Sequence, residues 1–292
     1  MIDHTTTPRS TPGGRGLGWR GSSPFYASLP RFAPDPALLT TPPPPASTNA
    51  TTRPGWLLPQ PSEQQGREGS CTAWATRKMV YWAYNQAGWH NPFPPSARYI
   101  YYTERQVLQM APYNITGATQ EDTGGYSEAA IAATAQYGVT ADDNCPYAPP
   151  SGDPLVYLTV PPADFAYTNA HRHLDVANQA VVQARPHMQA ALLAGHPFIV
   201  GISVFSGFES LNAEETGVVT MPNPGEKPYG GHELFCIDYE TRTPDANSPD
   251  GLYYVVLGSW GNYGDKGKMY LPAPYLEDPN LADGLVTILR QF

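Results

Sequence analysis

The chain has 292 residues, a formal net charge of −9 and three cysteines. That length holds one large domain or two small ones with a sizeable core, and the acidic balance argues against nucleic acid as a main partner, because phosphate binding needs clustered Lys and Arg. Cys71, Cys145 and Cys236 are too few and scattered for a disulfide framework, and no window approaches the roughly 18 apolar residues of a membrane span.

Residues 1–53 are rich in Pro, Thr, Ser and Gly, with an unbroken run from Pro42 to Pro45. Such a segment buries too little apolar surface to offset its ordering entropy. It is expected to be a disordered or surface-wrapping arm, with Trp19, Phe25, Tyr26 and Phe32 as anchors. Composition favours a flexible tail over a plug for a cleft. Met1-Ile2-Asp3-His4 lacks the apolar core of a signal peptide. A cytoplasmic protein is the default, with signal-free export left open.

The remainder, 54–292, reads as one domain with a helical half over about 65–155 and a β-rich half over about 156–292. A helix is expected from Ser70 to about Gln86, with Ser70 as N-cap and Trp74, Ala75, Met79, Tyr81 and Trp82 on one broad apolar face. A second spans Glu128–Tyr137 and closes at Gly138. A third spans Pro186–Ala194, with proline at its start and Gly195 past its end. Strands follow at Phe198–Phe205, Phe235–Tyr239 and Tyr253–Leu257, rich in aromatic and β-branched residues. The class is α+β, with a cleft between the halves.

Gln65-Gly66-Arg67-Glu68-Gly69-Ser70-Cys71 places a thiol where a glycine-rich loop enters a helix. A helix N-terminus favours the thiolate, and Gln65 with the Cys71 N–H can stabilise an oxyanion beside the sulfur. Tyr229-Gly230-Gly231-His232-Glu233 is a glycine turn feeding a strand, with His232 at its entrance. Leu252–Leu257 leads into Gly258-Ser259-Trp260-Gly261. Each feature alone has a plain reading, a buried cysteine or a packed histidine. Together they make the pair that thiol catalysis needs, with imidazole as base and then acid. His171-Arg172-His173 lacks the spacing of a metal site, and no cofactor is implied. Cys145 reads as a structural turn position and Cys236 as core.

From about Pro54 onward these motifs resemble the papain-like cysteine peptidases, particularly their bacterial members. Ser96–Tyr102, Gly124-Gly125-Tyr126, Gln136–Val139 and Pro146-Tyr147 keep that family's order. The resemblance implies a helical left subdomain, a β-rich right subdomain and an active-site cleft between them. It also implies Cys71 as nucleophile, His232 as its base, Gln65 as oxyanion donor, Gly124 and Gly125 as backbone partners of a peptide substrate, and Trp260 as shield of the catalytic histidine. The residue after that histidine lines the pocket for the second substrate residue before the cleaved bond. Here it is Glu233, either a partner for Lys or Arg there or a solvent-facing side chain. The chain departs from the family at Gly258, where an asparagine usually orients the imidazole, and at Glu68 and Asp122, the positions of a usual disulfide. Thr72 replaces an aromatic residue.

The expected function is cysteine-type peptide hydrolysis on peptide or protein substrates, with no nucleic acid or membrane partner. The alternative is a pseudopeptidase that binds peptides through the same fold without efficient cleavage, which Gly258 favours. Acyl transfer to an amine would use the same residues.

Overall fold

The computed structural model describes residues 10–49, 63–88, 93–147, 158–170 and 176–290. Helix α1 is Cys71–Gln86, free of Gly and Pro throughout, and it ends before Gly88, whose φ of +74° suits glycine alone. Its burial differs from the one-sided pattern expected: Arg77 and Lys78 are as buried as Met79 and Trp82. The loop preceding the helix covers the side expected to face water and supplies Glu63, which lies 2.8 Å from Lys78 Nζ and 3.4 Å from Arg77. Two cations thus share one buried carboxylate, which compensates their desolvation.

Helices α2 (Ala97–Leu108) and α3 (Ser127–Tyr137) pack on each other and on α1. Ser96 caps α2 by accepting from the Tyr99 N–H at 3.0 Å. The other half is a sheet of β1 (Val176–Ala180), β2 (Phe198–Val204), β3 (Gly230–Thr241), β4 (Leu252–Leu257), β5 (Lys268–Pro272) and β6 (Ala282–Arg290), ordered β1-β6-β2-β3-β4-β5. Every pairing is antiparallel. Successive strand residues point to opposite faces, and here both faces are covered. Leu234, Cys236, Tyr254 and Val256 join a core with Met188 and Leu192 of helix α4 (Arg185–Leu193). Phe235, Ile237, Tyr253 and Val255 join a second core with Ala73, Met79 and Ile100. That second core fuses the halves and sets the start of α1 against the start of β3. The fold is α+β, as expected.

Residues 10–49 are laid along this body rather than left as a tail. Backbone bridges tie Trp19 to Gly125, Arg31 to Ala180 and Ala46 to Glu240. Near its end, Ser47 Oγ and the Asn49 N–H donate to the Asp238 carboxylate at 2.6 and 2.8 Å. The composition argument counts apolar side chains, whereas this arm is held mostly by backbone pairing and short polar side chains. Trp19 and Phe32 are buried anchors; Phe25 is exposed.

Candidate active site

The loop before α1 is braced from the sheet side. The Gln65 N–H donates to Ser259 O, and the Gly261 N–H to Glu63 O, both at 2.9 Å. Gln65 Oε1 accepts from Ser259 Oγ at 2.5 Å, which fixes the amide and turns its Nε2 toward Glu68 O (2.6 Å) and Gly16 O (3.1 Å). Gly66 has φ +66°, the left-handed conformation that glycine adopts without strain. At the helix start, Ser70 occupies the N-cap position, but its hydroxyl bonds to Tyr147 instead of capping. The two positions that lack cysteines remain neighbours. Asp122 accepts from the Gly69 N–H at 2.9 Å and from Tyr101, while Glu68 accepts from Tyr147. Burial and the nearby Asp122 raise the Glu68 carboxyl to about 7.

His232 lies inside β3, opposite Ile202, and not at the entrance of a shorter strand. Its ring stacks on Trp260, with centroids 4.3 Å apart and planes 24° apart. Neither ring nitrogen has a hydrogen-bond partner among the described residues. Gly258 offers no side chain for that purpose, and Met269 Cε sits 2.5 Å from where its Cβ would be. Asn262 is exposed. Among the described residues the imidazole is held by stacking and burial without a hydrogen bond.

Cys71 is fully buried, with the backbone N–H groups of Glu233 and Gly18 turned to its sulfur. Burial pushes this thiol far up, and the charges of Glu233 and Glu104 add to the effect. Burial also pushes His232 down to about 3, with Lys78 a smaller cause. Both groups therefore rest neutral, and no hydrogen bond joins the imidazole to the Cys71 sulfur among the described residues. The thiolate expected at a helix start does not form here, because desolvation outweighs the dipole.

The burial comes from the arm. Gly16 to Arg20 lies extended between the halves. The Gly125 N–H donates to Gly18 O at 2.9 Å, and the Arg20 N–H donates to Gly125 O at 3.0 Å. The Trp19 N–H donates to Gly231 O at 3.1 Å, and the Gly16 N–H to Gly66 O at 2.9 Å. Contact is backbone on backbone: a Cβ on Gly18 would fall 1.9 Å from Gly69 O, and one on Gly124 would fall 2.0 Å from Gly18 O. The Gly-Leu-Gly-Trp spelling of the arm was the sequence signal for this docking. Beside it, Arg15 pairs with Glu209 and Glu214 and lies over the rings of Trp260 and Tyr263.

Cys71, Gln65, Gly124, Gly125 and Trp260 all touch the Gly16–Trp19 stretch of the arm, His232 stacks on Trp260, and the Glu233 N–H faces the Cys71 sulfur. Glu233 is buried and accepts from Ser127 Oγ, so it does not face solvent. Cys145 and Cys236 are buried elsewhere, Cys145 accepting from Arg98 Nη1 at 3.2 Å. His171-Arg172-His173 lies outside the described residues. Among the described residues no cluster could hold a metal ion. Sequence reasoning missed Ser259, Glu104 and Glu128. A serine in a turn and two helical glutamates carry no local signal of burial.

No family model matches the chain. An uncharacterized peptidase C1-like protein of Acanthamoeba polyphaga mimivirus is 31% identical over 236 residues, spanning 77% of this chain and 69% of the viral one. Among solved structures, xylellain, a cysteine protease from Xylella fastidiosa, superposes with a TM-score of 0.78 at 24% identity, covering 97% of this chain and 98% of that one. Procathepsin B S9 from Trypanosoma congolense gives 0.59 at 16% identity, over 87% and 80%.

Proposed function

The chain belongs to the papain-like cysteine peptidases, and from that premise we propose that it hydrolyses peptide bonds with Cys71 and His232 once the arm has left the cleft. The observation that carries this reading is the arm itself. An extended peptide is held by its backbone on Gly125 and Gly231, and a peptide carbonyl rests on Gln65 Nε2. Those are the contacts a substrate needs, made by an intramolecular stand-in.

In the proposed reaction His232 takes the Cys71 proton and the sulfur attacks the scissile carbonyl carbon. The oxygen gains the negative charge and is bound by Gln65 Nε2 and the Cys71 N–H. The C–N bond breaks as the imidazolium returns its proton to the leaving amine. Water, deprotonated by the same imidazole, then displaces the sulfur from the acyl group. Arm departure rehydrates both groups, which removes the main cause of their neutral resting state.

A second reading, a peptide-binding pseudopeptidase, is favoured by the unpartnered nitrogens of His232. Peptide turnover by the full chain with Trp19→Ala, which loosens the arm, distinguishes the two. Turnover that vanishes in Cys71→Ala, a loss of roughly 10⁶-fold on the scale of nucleophile removal, supports the peptidase. Peptide binding without turnover supports the pseudopeptidase.

A further inference from the structure

Gly18 of the arm passes between two glycines. A Cβ on Gly18 would fall 1.9 Å from Gly69 O, and one on Gly124 would fall 2.0 Å from Gly18 O. Gly69 belongs to the loop that delivers Cys71, and Gly124 precedes the Gly125 backbone that holds the arm. Neither residue has a side chain to act as a spacer, so the separation of these two walls is set from behind.

A carboxylate and a phenol join the walls. The Gly69 N–H donates to Asp122 Oδ2 at 2.9 Å and to Oδ1 at 3.2 Å. The Tyr101 hydroxyl of α2 donates to Asp122 Oδ1 and accepts from the Gly124 N–H at 3.1 Å. The order of the groups matters. A carboxylate only accepts, whereas a phenol accepts and donates, so the pair presents an acceptor to each wall. Burial, and next the Asp122 charge, hold the Tyr101 phenol well above its ordinary range, so it keeps the proton it donates. Arg105 fixes the ring: its guanidinium lies 4.3 Å from the Tyr101 centroid and donates to Tyr101 O (3.2 Å), Glu121 O (2.9 Å) and Leu158 O (2.8 Å). Burial raises the Asp122 carboxyl, and the bonds from Tyr101 and Gly69 and the Arg105 charge oppose that rise.

We propose that Asp122 and Tyr101 are positioning residues for peptide cleavage, holding the nucleophile loop at a fixed distance from the backbone that grips the peptide. They act through the main chain. Asp122 holds Gly69, two residues before Cys71, and Tyr101 holds Gly124, so sulfur and peptide keep one separation. A misplacement of about 1 Å far from the chemistry can cost roughly 100-fold in rate. An amide in place of the Asp122 carboxylate keeps its shape but sets an N–H against the Gly69 or Tyr101 donor, which breaks the link at one end. This rests on the peptidase reading, since the groups positioned are those of the same cleft.

The test uses the full chain carrying Trp19→Ala and two thiol reagents. Iodoacetamide reaches Cys71 without being gripped, whereas a peptidyl acyloxymethyl ketone must lie along Gly124 and Gly125 to react. Adding Asp122→Asn should slow labelling of Cys71 by the peptidyl reagent at least about tenfold and leave iodoacetamide alkylation within about threefold. Tyr101→Phe keeps the ring over Arg105, removes only the hydroxyl, and should act in the same direction. The double variant should be no slower than the slower single one, because the two groups form one link. Equal slowing of both reagents, no slowing, or additive slowing in the double variant would overturn the positioning role and leave the peptidase reading standing. If iodoacetamide alkylates the Trp19→Ala chain but the peptidyl reagent does not label it, the peptidase reading itself fails and the positioning role goes with it.

Discussion

The two ends of β3 are covered by the same arm in opposite ways. At the Asp238 end the covering satisfies what it buries: Ser47 and Asn49 supply two donors to one carboxylate, and the Asn49 amide serves the Leu192 and Ile237 carbonyls. At the His232 end the covering leaves both imidazole nitrogens and a Glu233 oxygen buried without hydrogen-bond partners among the described residues. A satisfied interface contributes to stability, and an unsatisfied one stores free energy against closure. One end holds the arm with satisfied polar groups, and the other holds it with Trp19 and backbone pairing over polar groups left unsatisfied among the described residues.

The largest test of that contrast is Trp19→Ala. Removing a buried tryptophan typically costs 3–5 kcal/mol, so even the lower figure weakens closure by roughly 100-fold. Iodoacetamide should alkylate Cys71 faster by about that factor, as followed by intact mass, while Cys145 and Cys236 stay protected. Unchanged alkylation would mean that the cleft end is an anchor too.

The next test is pH. Glu104 is raised to about 8 by burial behind Gly125 in the closed form, and an open form in which water reaches it would return it toward about 4.3. An acid with a higher pKa in one state favours that state when protonated. His232 acts the other way, since burial holds it down at about 3 in the closed form and exposure returns it toward about 6.5. The two effects oppose each other between about 4.3 and about 6.5, and closure weakens as pH rises from about 6.5 to about 8. Hydrogen exchange at the Gly125 and Trp19 amides, corrected for its intrinsic pH dependence, should show opening that grows across this window. Opening that instead falls across it would reverse the assignment.

Gly258→Asn should act more weakly. The new Cβ would fall 2.5 Å from the flexible end of Met269 and 3.6 Å from Leu234 Cδ2, and an amide that reached His232 would hold the imidazole by hydrogen bonding as well as stacking. In the Trp19→Ala background kcat should rise, by about tenfold, more than KM changes. An unchanged or lower kcat would show that stacking on Trp260 already suffices. Smallest is Ser47→Ala at the anchored end, with a stability loss of about 1 kcal/mol in denaturant unfolding and no matching increase in Cys71 alkylation.

Helices α1, α3 and α4 and the central strands β2, β3 and β4 were legible in sequence because periodicity, caps and β-branched runs are local. Strand β1 carries Asn and Gln, β5 is short and ends in Pro272, and β6 opens on Ala282-Asp283-Gly284. Their pairing is decided by neighbours distant in sequence, so local patterns do not reveal them. The same division holds at the site. Gln65, Cys71 and His232 are spelled out by motif, but the close approach of Gly18 to Cys71 and the fit of Trp19 against Gly201 and Gly284 are not. Those facts belong to tertiary structure.

The most direct measurement is cleavage of a mixed peptide library by the full chain carrying Trp19→Ala, analysed by mass spectrometry beside Cys71→Ala in the same background. New peptide termini should form with the first protein and be absent with the second. Equal cleavage by both proteins, or none by Trp19→Ala even with Gly258→Asn added, would contradict a thiol peptidase closed by its own arm.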